Sequence, residues 1–123
     1  MNFTDYMTHC KTNIRQAKPN VSEQMIDWNA PFILKPNKPT QKGILLIHGL
    51  LDSCFIMRDI GQVFQEHGFL VYAILLPGHG TKPDDLASVS YQDWLKTVEF
   101  GIETLKQEVT DIAIAGFSVG AAL

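Results

Sequence analysis

Asp111-Ile-Ala-Ile-Ala-Gly116-Phe-Ser118-Val-Gly120-Ala-Ala-Leu123 decides the fold of this chain. A short apolar strand, Ile112 to Ala115, runs straight into Gly116-Phe-Ser118-Val-Gly120, and good helix formers follow. A G-x-S-x-G between a buried strand and a helix is the pattern of a nucleophile elbow. Such a turn is too tight for side chains at Gly116 and Gly120, which would strike neighbouring backbone. It pushes Ser118 into a strained, exposed position and aims the first N–H groups of the helix at the same point.

Upstream, two more strands end in short glycine-marked loops. Ile44-Leu-Leu-Ile47 is a continuous apolar run, as in a parallel strand covered on both faces, and leads into His48-Gly49-Leu50. Phe69 to Leu76 is the next such run, closed by Pro77-Gly78-His79-Gly80, after which Thr81 to Ser88 reads as a loop. Between the two runs, Ile56, Ile60, Val63 and Phe64 have helical spacing, with Gly68 as the stop and Gly61 as a costly interior glycine. Ser90-Tyr-Gln-Asp93 is a capping signal for a helix whose stripe is Trp94, Val98, Ile102, Leu105 and Val109. Strand, helix, strand, helix, strand implies a parallel sheet with right-handed crossovers. Residues 1–42 form a lead-in: a helix over 3–17 with Tyr6, Ile14 and Ala17 facing inwards, then an extended segment from Trp28 to Leu34.

With 123 residues the chain holds one domain at most, and a 46% hydrophobic content supplies a core. The net charge of −3 is spread along the chain without a basic stripe, which argues against a nucleic-acid partner. The longest apolar run is too short to span a bilayer, and Met1 to Tyr6 lacks the character of a secretory signal. Cys10 and Cys54 sit in different elements without metal-ligand spacing. They read as reduced thiols of a cytoplasmic protein, Cys54 as a small buried apolar residue.

His48-Gly49-Leu50, Pro77-Gly78-His79-Gly80 and Gly116-Phe-Ser118-Val-Gly120, each following a strand, resemble the α/β-hydrolase superfamily. The set is most similar to its carboxylesterase, monoacylglycerol-lipase and serine aminopeptidase S33-like branch. The resemblance covers residues 43–123 well and 1–42 loosely, and implies a parallel-sheet α/β-hydrolase fold over 43–123. It implies Ser118 as the nucleophile that attacks a small acyl ester or amide to give an acyl-enzyme. The backbone N–H groups of Leu50 and Val119 become oxyanion donors, each worth ~3 kcal/mol of barrier. Gly116 and Gly120 are the elbow glycines, while His48, Gly49, Gly78, His79 and Gly80 build structural loops. No metal or organic cofactor is implied.

In that family the triad runs serine, acid, histidine along the chain. Here Ser118 is followed by Val119, Gly120, Ala121, Ala122 and Leu123, none of which titrates. His9 and His67 have no motif context, and Asp52, Asp84 and Asp85 read as capping or solvated loop residues. The expectation is an incomplete hydrolase, cut directly after the elbow, with little turnover of its own. The last strand would then carry a free edge open to self-association. Alternative readings are a non-catalytic remnant, and a peptidase or acyltransferase on the same fold.

Overall fold

The computed structural model describes residues 1–123. In chain order the elements are α1 (Phe3–Ala17), α2 (Glu23–Asn29), β1 (Phe32–Leu34) and β2 (Lys42–Ile47). A 3-10 turn (Cys54–Met57) leads into α3 (Arg58–Glu66), followed by β3 (Leu70–Ile74). A second 3-10 turn (Pro83–Ser88), α4 (Tyr91–Lys106), β4 (Asp111–Gly116) and the short α5 (Val119–Ala122) complete the chain.

One sheet of four strands is the frame, in the order β1-β3-β2-β4. β2 lies between β3 and β4 and runs parallel to both, in registers that pair Ile47 with Ile74 and with Gly116. Its residues Gly43 to Ile47 are all buried, as a strand covered on both faces requires. Side-chain alternation divides the core into two layers. Ile44, Leu46, Val71 and Ala73 face Ile14, Ile26 and Met57, whereas Leu45, Ile47, Tyr72 and Ile74 face Val98, Leu105 and Val109. α4 starts from the anticipated capping box, in which Ser90 Oγ accepts from Asp93 N–H and Asp93 Oδ2 accepts from Ser90 N–H at 2.9 Å. No helix of the structure is long and apolar enough to cross a membrane.

α1 contributes to both layers, Phe3 to one and Cys10 and Ile14 to the other. Between them the Tyr6 hydroxyl donates to Leu75 O at 2.8 Å and accepts from Leu75 N–H at 2.9 Å, closing the end of β3. Burial pushes the Tyr6 phenol up from its ordinary value. It also raises the Cys10 thiol to about 11 and Cys54 well above its usual range, so both cysteines stay protonated and pack as apolar groups.

Several expectations need correction. The parallel sheet expected over 43–123 is present in β3, β2 and β4, but the whole sheet is mixed, because β1 of the lead-in pairs antiparallel with β3. Trp28 belongs to α2, whose start is capped by Ser22 accepting from Met25 N–H. The segment Thr81 to Ser88 holds a 3-10 turn rather than an irregular loop. Of the expected stripe, Ile56 in the 3-10 turn and Ile60 and Val63 on α3 are exposed, and Phe64 packs against the core. The helix approaches the sheet through Gly61, where a Cβ would stand 3.2 Å from Phe32 Cε1 and 3.4 Å from Leu46 Cδ1. That close approach fixes the rotation of α3 and gives the interior glycine its purpose.

These packing differences predict opposite responses. Leu105→Ala, at a fully buried site, should cost about 2–5 kcal/mol in a urea-unfolding measurement. Ile60→Gln, at an exposed position of α3, should stay within about 0.5 kcal/mol.

Candidate active site

The parallel run of β3, β2 and β4 brings their C-terminal ends, and the loops that follow them, to one edge of the sheet. The sharpest of these loops follows β4. Ser118 sits at φ 56 and ψ −117, a conformation that L residues rarely adopt and that marks stored strain. Backbone contact, not conformational freedom, dictates the flanking glycines. A Cβ on Gly116 would stand 2.5 Å from the carbonyl group of Gly120, and one on Gly120 would stand 2.5 Å from Ile47 O and 2.6 Å from His48 O. The turn is tied to β2 by Phe117 N–H donating to Ile47 O at 3.1 Å. Gly120 and Ala121 N–H close it on Phe117 O and Ser118 O, leaving Val119 N–H as the first helical donor outside those bonds. Ser118 itself is exposed.

The loop after β2 meets this turn directly. A Cβ on Gly49 would lie 3.1 Å from Ser118 Cβ and 3.2 Å from Phe117 O, so the glycine lets the two loops touch. Asp52 N–H donates to Gly49 O at 3.1 Å and closes a tight turn over 49–52. Within it Leu51 takes φ 65, and its side chain is 75% exposed. Leu51 and Ser118 are the two non-glycine residues of the chain with positive φ, and both stand in these loops.

His48 is fully buried and holds the Gly49 loop in one orientation. Leu76 N–H can only donate, so His48 Nε2 accepts from it at 3.0 Å, and Nδ1 carries the proton given to Gly49 O at 2.8 Å. The Gly49–Leu50 peptide is trans, so fixing its carbonyl towards His48 turns the Leu50 N–H the opposite way. Burial lowers the His48 pKa from an ordinary 6.5 to about 4, which keeps the ring neutral.

His79 packs beyond it at a tilt, 4.8 Å from His48 between ring centroids, and edge-on to Trp94 at 5.7 Å. Its Nδ1–H and the Trp94 indole N–H both donate to Pro77 O, at 3.2 and 3.0 Å. Its buried Nε2 has no partner in the protein. Gly78 at φ 82 and Gly80 at φ 75 give the loop its left-handed corners. Of the residues singled out in the sequence, His48, Gly49, Leu50, Gly116, Ser118, Val119 and Gly120 lie in the two touching loops. Gly78, His79 and Gly80 stand one strand further out. Sequence reading passed over the strain at Leu51 and the placement of Asp52, whose carboxylate lies against Gly49. A positive φ at leucine leaves no mark in the sequence.

Fold and loops together are those of the α/β-hydrolase superfamily. Within it, the chain belongs to the family described as serine aminopeptidase S33, whose profile matches residues 38–123. A thermostable monoacylglycerol lipase of Bacillus sp. (strain H-257) is 35% identical over 81 residues, covering 66% of this chain and 32% of that protein. A carboxylesterase of Bacillus subtilis (strain 168) is 35% identical over 91 residues, covering 73% of this chain and 36% of that protein. Among solved structures, one from work on the metagenome-derived lipolytic enzymes LipS and LipT superposes with a TM-score of 0.69 at 27% identity. That match covers 75% of this chain and 36% of the other. The chain thus spans about a third of the length of the relatives it matches.

Two predictions come from this geometry. Gly120→Ala should destabilise the protein by about 3 kcal/mol in urea unfolding, because its Cβ meets rigid backbone carbonyls that cannot move aside. The buried neutral His48 fixes the sign of a pH effect. Its folded pKa lies below its unfolded value, so its contribution is fully present above 6.5 and is lost as pH falls towards about 4. Wild type should lose about 1.4 kcal/mol per pH unit through this window, and His48→Gln should flatten that slope in urea midpoints at several pH values.

Proposed function

We propose that this chain carries the nucleophile and oxyanion donors of a serine hydrolase acting on acyl esters. The Ser118 hydroxyl oxygen bonds the ester carbonyl carbon, negative charge gathers on the carbonyl oxygen, and the alcohol leaves with the proton that Ser118 has lost. Water then cleaves the acyl-enzyme and restores Ser118. The Leu50 and Val119 N–H groups receive the oxyanion, held there by the His48–Gly49 bond and by the helix start. The observation that carries the reading is Ser118 at φ 56, exposed and in contact distance of the Gly49 loop. His48 has both ring nitrogens in backbone bonds, so the reading does not use it as the base. This route calls on no metal or organic cofactor.

Amide hydrolysis at the same centre is the second reading, and the aminopeptidase name of the family favours it. Ester chemistry ranks first because the two relatives at 35% identity are a monoacylglycerol lipase and a carboxylesterase.

An alkylboronic acid tests the nucleophile without needing the base. Its boron accepts the Ser118 oxygen reversibly, giving an anionic tetrahedral adduct while the proton goes to buffer. Boron NMR should show that adduct with the wild-type chain, and Ser118→Ala should weaken binding at least about tenfold. Equal binding by Ser118→Ala would refute the assignment.

A further inference from the structure

Asp52 is placed where no part of the proposed reaction uses it. Its backbone closes the turn over 49–52, and its side chain folds back over Gly49. A Cβ on Gly49 would meet Asp52 Oδ2 at 3.0 Å and Ser118 Cβ at 3.1 Å. The carboxylate oxygen and the serine Cβ are therefore within roughly 6 Å of each other, close enough for charge to act strongly.

This carboxylate is half-buried, and no protein donor or cation is paired with it; the ion pairs of the chain are Lys11–Asp27, Arg15–Glu23 and Lys106–Glu103. It lines a cleft of about 1000 Å³ beside Trp28, Leu51 and Phe55. The other charged groups of that cleft are Lys18, Arg58, Asp59 and Lys82, and Arg58 is tied up in bonds to the Asp27 and Trp28 carbonyls. An unpaired carboxylate in a partly dehydrated place attracts donors and repels anions. The adduct on Ser118 is itself an anion, so Asp52 disfavours any substrate that brings no compensating group.

We propose that Asp52 is a specificity residue, whose carboxylate receives an ammonium or hydroxyl donor that the substrate carries close to its scissile carbonyl. The proposal rests on Ser118 being the nucleophile, as read above. It gives the cleft a purpose: Asp52 borders both the cleft and the Gly49 turn beside Ser118, so the donor-bearing part of the substrate sits against Trp28, Leu51 and Phe55.

The test uses three boronic acids of equal chain length, ending in a methyl, a hydroxyl or an ammonium group. Each is titrated into wild type, Asp52→Asn and Ser118→Ala. The ammonium probe should lose about tenfold in affinity in Asp52→Asn, the size of one charge-assisted hydrogen bond. The methyl probe should bind Asp52→Asn as tightly as wild type or more tightly, because its anionic adduct no longer faces a carboxylate. Opposite responses of this kind support the proposal and exclude a merely structural role. A hydroxyl probe that alone prefers wild type over Asp52→Asn also supports it, with a neutral donor as the ligand. Parallel loss for all three probes, or no change for any, overturns it. Absence of Ser118-dependent binding by every probe removes the nucleophile reading, and the specificity role falls with it.

Discussion

Gly120 rests against the carbonyl oxygens of Ile47 and His48 with no room for a methyl group between them. The rest of the site depends on that contact. It fixes how far the start of α5 stands from the end of β2, and so where Ser118 projects. Hydrophobic packing of this sheet could tolerate small shifts, since side chains adjust their rotamers. Two backbone segments at such separation cannot adjust, and the turn is either closed or broken. The positive φ of Ser118 persists because the Phe117–Ile47 hydrogen bond and the helix start hold it from both sides.

His48 extends this rigidity sideways. One buried ring joins the end of β2 to the end of β3, accepting from Leu76 and donating to Gly49. Its neutrality follows from burial, and the neutral tautomer can bridge an N–H and a carbonyl at once. A histidine in a hydrolase loop invites assignment as the base. Here both nitrogens hold backbone, which makes the residue a strut for the Gly49–Leu50 peptide. His79, packed against it at a tilt, is anchored within the neighbouring loop by its single bond to Pro77 O.

Much of this was legible in the sequence because glycine and apolar runs mark it plainly. Ile44 to Ile47 and Phe69 to Leu76 could only be buried strands, and each glycine of the elbow answers to a specific backbone contact. What escaped was geometry that side-chain identity does not encode. β1 is three residues long and pairs with β3 instead of its sequence neighbour β2, so its antiparallel sense had no signal. Trp28 looked extended because aromatic residues favour strands, yet Ser22 had already supplied a helix start. Ile60 and Val63 of the α3 stripe fell off the face that bears Gly61 and Phe64, which the spacing alone could not reveal. Asp52 read as a solvated loop residue, since its return to Gly49 depends on strain at Leu51 that no residue type announces.

Tyr6 and Leu75 are 69 residues apart in the chain, yet their two hydrogen bonds join α1 to the end of β3. The entropy of closing so long a loop rises only with the logarithm of its length, about 0.6 kcal/mol per doubling. Extra residues in the surface turn at 35–41 would therefore barely loosen this fastening. The fold has room to diversify there by insertion, while the hydroxyl that anchors its first helix is confined to one position.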